Sequence, residues 1–285
     1  MSYTLLLAVS LSCVSQAAAD RDAQAKLDAG WLKVCQSHAE DYVIYPTDAP
    51  KEKFKLLPNP VFRHSQPVRG DDIGGVWLWV RDDGRPGVVG TVFAYSMSSF
   101  QPGERNVSHE FHSLATVPLT ATWRGRPQWA PAKAGIEWKP IPDAPATAES
   151  PTRRLLQMRQ LSRRFHAHSV GKGERWELRL IAKPIYVYNV KDADAVLGGG
   201  LFAICQGTDP EILLGIEARR VDGNYRWHYA CAPFSDYELH VRLDDTEVSA
   251  LPRVRYNDRT DPHWWITDLL QKAKLPEEKP STLQR

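Results

Sequence analysis

ERWELRL at 174–180, LFAICQ at 201–206, ILLGIEARR at 212–220, YRWHYAC at 225–231 and YELHVRL at 237–243 decide the fold. Apolar residues in these runs recur mostly at every second position, the period of a strand with one buried face. The alternation predicts strands over Trp176–Tyr188, Leu201–Gln206, Ile212–Arg220, Tyr225–Cys231 and Tyr237–Leu243, with turn residues between them. Alternate positions, Trp176, Leu178 and Leu180, then Tyr225 to Cys231 and Tyr237 to Leu243 by twos, with Ile212, Leu214 and Ile216, form one apolar side. Glu177, Arg179, Glu217, Arg219, Arg226, His228, Glu238, His240 and Arg242 fall on the other. That side is expected to face solvent. If the sheet curls over it, it becomes a surface for a small anionic or sugar-like ligand.

Upstream, Val76–Arg81 and Val88–Tyr95 flank Asp82-Asp83-Gly84-Arg85-Pro86 and predict a hairpin, with Asp-Gly supplying the turn. Val107–Leu114 and Leu119–Trp123 read as further strands. Helical periodicity covers Asp22–Asp41, where Leu27, Trp31, Val34 and Cys35 make a stripe. A second helix opens at Ser150-Pro151, an N-cap followed by a proline in the first turn, and lines up Leu155, Met158, Leu161 and Phe165. Asp261-Pro262 predicts a short C-terminal helix over Trp264–Lys272. Five prolines make 46–70 irregular, and six make 127–151 an extended connector strapped over the surface by Trp129 and Trp138. The fold class is mainly β, with α+β as the alternative: an antiparallel curved sheet or sandwich with helices at both ends and one between.

The 285 residues carry a net charge of +2, which provides no broad basic field for nucleic acid. Residues 1–19 combine a short apolar run, Thr4–Val14, with Ala17-Ala18-Ala19 and predict a signal peptide cleaved near Ala19. The run is too short to span a membrane. Export to the periplasm or the exterior follows, leaving one domain over 20–275 and a disordered tail over 276–285. Cys35, Cys205 and Cys231 would then remain. Cys205 and Cys231 lie about two strand spacings apart, ~10 Å, and are expected as free thiols.

Asp83-Gly84-Arg85-Pro86, His109–Leu114, Gln157-Met158-Arg159, Trp176–Leu180 and Gln206–Glu211 together resemble an uncharacterised family of secreted proteins from planctomycete-type bacteria. The resemblance spans roughly 74–250, implies a bacterial exported protein and brings no activity.

His109-Glu110-Phe111-His112 has its second histidine one residue early for a zinc-protease helix. On a strand, His109 and His112 point to opposite faces, while Glu110 and His112 share one. His166 and His168 share a face if Phe165–Val170 is extended, so Glu110, His112, His166 and His168 could assemble a metal site of two to four ligands. No phosphate loop, dinucleotide fingerprint or serine nucleophile elbow is present, and no cofactor is expected. Three functions follow as expectations. They are a non-enzymatic binding or cell-envelope protein, a carrier with a pocket lined by Trp176, Trp227 and Tyr229, and a metal-dependent or acid–base enzyme built on Glu110 and His112 with His166 and His168.

Overall fold

The computed structural model describes residues 4–66, 72–96, 103–190, 194–253, 257–267 and 273–275, with the side chains of 4–20, 66, 267, 273 and 274 outside that set. The signal peptide expected over 1–19 overlaps the start of the first helix, where no side chain is described, and the 276–285 tail lies outside the described residues.

Helix α1 (Thr4–Glu40) leads into β1 (Tyr42–Pro46), β2 (Lys55–Leu56), β3 (Phe62–Gln66), β4 (Asp72–Val80), β5 (Pro86–Tyr95), β6 (Glu104–Ser113), β7 (Leu119–Trp123), β8 (Arg126–Trp129) and β9 (Lys139–Pro140). Helix α2 (Pro151–Ser162) follows, capped by the Ser150 hydroxyl, which accepts from the Arg153 N–H. The second half holds β10 (Phe165–Gly171), β11 (Glu174–Leu180), β12 (Tyr186–Asn189), β13 (Val196–Gln206), β14 (Asp209–Val221) and β15 (Asn224–Pro233). It ends with β16 (Glu238–Leu243), β17 (Thr246–Leu251), β18 (His263–Thr267) and β19 (Ala273–Lys274).

All pairings are antiparallel and build three sheets. The largest runs β17-β16-β10-β11-β13-β14-β15-β9, with β12 also on β13. The second runs β18-β6-β5-β4-β2, with β19 on β6 and β3 on β4, and β1-β7-β8 make a small third. The fold is mainly β, built from curved antiparallel sheets.

Three apolar layers hold the sheets together. Met158 and Leu161 of α2, with Ile141 of the connector, cover Phe202, Leu214, Ile216, Trp227 and Tyr229 on one side of the largest sheet. Its other side sets Leu201, Ala203, Cys205, Leu213 and Ala232 against Val76, Leu78, Val80 and Val89 of the second sheet. The back of the second sheet, with Trp77, Trp79, Phe111 and Trp264, is closed by Trp31 and Cys35 of α1 and by the small sheet. Alternation along β4 thus serves two cores at once: Trp77 and Trp79 go one way, Val76 and Leu78 the other.

Four expectations are corrected. The strand read over Trp176–Tyr188 is two, β11 and β12, because Pro184 has no N–H to give a ladder. The stretch 46–70 holds β2 and β3, the latter fitted between Pro60 and Pro67. Phe165 begins β10 rather than extending α2, although it reaches the same core. The expected helix over Trp264–Lys272 is a strand as far as Thr267, since Trp264, Trp265, Ile266 and Thr267 are strand formers and pair with β6; residues 268–272 lie outside the described set. Cys205 and Cys231 are free, as expected, on strands separated by β14.

Candidate functional site

Strand β6 carries the His-Glu-Phe-His run, and its alternation sends Phe111 into the core behind the second sheet while Glu110 and His112 face the largest sheet. Opposite them, β18 sets His263 beside His112 and Trp265 beside Glu110. The Glu110 Oε1 lies 2.6 Å from the His263 Nε2, and both side chains are buried. Burial, and then the charge of Asp236, push the Glu110 carboxyl up to about 8. Burial lowers His263 to about 4, against the pull of Asp261 and Asp236. Burial thus favours the neutral pair, a carboxylic acid donating to an imidazole whose remaining ring proton sits on Nδ1. That Nδ1 is buried and has no hydrogen-bond partner.

His112 carries the complementary group. Its Nδ1 donates to the Ser113 carbonyl at 2.8 Å, which leaves Nε2 as an acceptor. Burial and the neighbouring His263 lower it to about 3, so it stays neutral. The two rings lie 5.7 Å apart and both line a cavity of about 510 Å³ at the sheet edge. Lys133, Arg253, Asp258 and Asp261 supply charge around it, and Cys231, Pro233 and Leu251 supply apolar wall.

Beyond Glu110 lies a smaller chamber of about 90 Å³, lined by His64, Thr91, Asp209, Glu211, Ser235 and Asp236 among others. The Thr91 hydroxyl donates to the Gly75 carbonyl at 3.0 Å, so it accepts from the His64 Nε2 at 3.1 Å. His64 is thereby fixed with its proton on Nε2, and burial holds it near 4. Gly74 makes the room: a Cβ there would stand 2.5 Å from Phe93 and 2.7 Å from the His64 ring. The chamber admits a few water molecules but no organic ligand.

The chain matches no family model, no curated protein and no solved structure. Function must be read from the site itself.

The expected four-residue metal set does not assemble. Glu110 and His112 are in the second sheet, His166 and His168 in β10 of the largest, and among the described residues no group of three or more His, Cys, Asp or Glu is placed to hold a metal ion. His168 stacks instead on His240, ring centroids 4.6 Å apart. His240 is bonded to Glu238 at 2.8 Å and Glu247 at 3.1 Å.

The nine polar residues of the largest sheet do share one face, as cross-strand partners such as Glu217 with His228 and Arg219 with Arg226 show. They do not make one surface. The second sheet covers the middle of that face, leaving Glu177, His168, His240, Glu238 and Arg242 at one end. Glu217, Arg219, Arg226 and His228 are at the other, and Arg179 donates to the Gly207 carbonyl. Glu217 is buried and accepts from the Tyr188 hydroxyl and from Arg219, whose guanidinium lies over Trp138. The carrier pocket is not formed either: Trp227 and Tyr229 are packed in the core, and Trp176 rests on Tyr237.

His263 and His64 are the site residues that sequence reasoning missed. For His263 the signal was present, because the Trp264, Trp265, Ile266 and Thr267 that follow it are all strand formers. His64 had none, since its role depends on Gly74 and Thr91 across the ladder. A further buried trio, His109 hydrogen-bonded through Nδ1 to the Tyr42 hydroxyl and through Nε2 to the His38 Nδ1, lies behind the sheet under α1. It belongs to the packing of that helix.

Proposed function

We propose that this chain is an exported, non-enzymatic binding protein, periplasmic or extracellular, that seats a small hydroxylated or anionic ligand in the 510 Å³ cavity beside His112 and His263. The observation that carries the reading is the pairing of unused groups. The His263 Nδ1 is buried with no partner among the described residues, and His112, its cross-strand neighbour with rings 5.7 Å apart, keeps its Nε2 as an acceptor. A buried polar group left unpaired costs about 1–3 kcal/mol, which a ligand offering one acceptor and one donor would recover. A hydroxyl does both. Lys133 and Arg253 at the cavity, set against Asp258 and Asp261, can meet further polar groups of the ligand.

Thermal-shift screening of the full chain against sugars and hydroxy acids tests the reading. A hit whose affinity falls at least ~10-fold in His112→Gln supports it, about the loss expected for one buried hydrogen bond. Hits that bind His112→Gln equally well, or a screen without hits, count against it.

One observation favours a second reading, an acid–base enzyme. Burial favours the protonated form of Glu110, 2.6 Å from His263, and His263 lines the larger cavity, so the pair could relay a proton to a substrate there. Turnover of a glycoside or ester that disappears in Glu110→Gln while ligand binding persists would select it. No helix among the described residues is long and apolar enough to cross a membrane.

A further inference from the structure

The tip of the β4–β5 hairpin presents a guanidinium that forms no hydrogen bond or ion pair with any described residue. Arg81 follows β4 directly, and the turn is closed by its N–H to the Arg85 carbonyl and by the Gly84 N–H to the Arg81 carbonyl, each at 2.9 Å. Gly84 takes φ +82, the left-handed backbone this turn requires. Two carboxylates reach Arg81 electrostatically, Asp83 and Glu217. Asp83 is bound to Arg85, accepting from its Nε at 2.8 Å and from its backbone N–H at 3.0 Å. Glu217 is held by Arg219 and the Tyr188 hydroxyl. Arg81 makes no side-chain hydrogen bond or ion pair among the described residues, and its Nε is buried with no partner. The tip is also fixed in place, since the Tyr186 hydroxyl donates to the Gly84 carbonyl at 2.8 Å.

Arg81 forms part of the wall of a second cavity of about 510 Å³, together with Phe54, the bases Lys53 and Arg85 and the acids Asp48, Glu52, Asp82 and Asp83, of which Asp83 is paired with Arg85. It shares no residue with the His112–His263 cavity. Lys53, Asp48 and Glu52 are exposed, so water screens their charges; Arg81 and Phe54 are half-buried. A planar, half-buried guanidinium with its donors unused is shaped for two parallel bonds to a planar or tetrahedral oxyanion. We propose that this cavity binds a small oxyanion, a carboxylate or a phosphate group, gripped by the unpaired guanidinium of Arg81, with Phe54 contacting the apolar remainder.

Equilibrium titration of the full chain with inorganic phosphate and with acetate, at constant ionic strength made up with chloride, tests this. Phosphate, acetate or both should bind more tightly than chloride, and Arg81→Gln should weaken that binding at least ~10-fold, the loss of a charge-assisted pair. Arg81→Lys keeps the charge but not the fork, so it should fold and bind with intermediate affinity. Which anion binds identifies the source chemistry. Wild-type protein that prefers neither anion to chloride overturns the proposal. So does Arg81→Gln, or Arg81→Lys should the first variant not fold, binding as tightly as wild type.

Discussion

Strands β4, β5 and β6 press two unlike surfaces against the largest sheet. At one end Val76, Leu78, Val80, Val89 and Leu114 meet Leu201, Ala203, Leu213 and Ala232 in a dry layer. At the other, Thr91, Glu110 and His112, joined by His64 and His263, meet Asp209, Glu211, Ser235 and Asp236 around two cavities. The backbone pattern is the same in both halves. The first half gains free energy simply by leaving water, at roughly 25 cal/mol per Å² of apolar surface. The second half must keep histidines neutral and a carboxyl protonated to be buried at all. A fold does not need such a layer, and that cost is the physical reason for assigning function to the polar end.

The difference is largest in acid. His64 and His263 are lowered to about 4 and His112 to about 3, each first by burial, and His38 and His109 under α1 are lowered to about 4 and 3 in the same way. In the unfolded chain these groups titrate near 6.5, so below that pH the unfolded state takes up protons that the folded state refuses. Stability from these histidines is complete above pH 6.5 and is lost as pH falls toward 4. Each contributes a slope of about 1.4 kcal/mol per pH unit. Three to five acting together would consume a typical stability of about 5–15 kcal/mol within one to three units. Urea midpoints should drop steeply between pH 6.5 and 4.5, and a flat profile would mean that the polar layer is wet.

The apolar half is broken differently. Leu78 is fully buried against the largest sheet, and Leu78→Ala should cost about 2–5 kcal/mol through lost contacts and the cavity left behind. The loss should be nearly the same at pH 5 and pH 7.5, since the thiol of that layer, Cys205, is pushed up to about 12 by burial and stays protonated at both. Denaturant unfolding at the two values checks it. A loss that shrank or grew by more than half would show that the two halves are coupled.

How much of this was legible in the sequence follows the same division. Period-two alternation is local, so the mainly β class, the β4–β5 hairpin and the α2 cap could be read from single segments. What covers each side of a sheet is not local. The Glu177-to-Arg242 side reads as polar at both ends, yet its middle, Leu201, Ala203 and Leu213, belongs to strands buried on both faces, where alternation fades. Glu110 and His112 were legible as sharing a face of their strand. Their partner His263 lies 153 residues from Glu110, and Asp261-Pro262 before it argued for a helix start. His64 sat among prolines, with no periodicity to mark it.

Glu110→Gln sharpens the comparison from the alkaline side. Its carboxyl is raised from the ordinary 4.5 to about 8, first by burial and then by Asp236. Between those values the folded chain holds a proton that the unfolded chain has released, so stability falls as pH rises from 4.5 and the full cost is in place above 8. Glutamine keeps the shape and can donate its amide N–H to the His263 Nε2, but it has no proton to lose. The variant should therefore be more stable than wild type by about 1–3 kcal/mol at pH 7, and the difference should vanish near pH 4.5. Such a gain is typical where a residue is kept for function at the expense of the fold. A destabilised Glu110→Gln would mean instead that Glu110 is ionised beside a protonated His263. In that case the donor on the His263 Nδ1 would remain, and the general-acid reading would be lost.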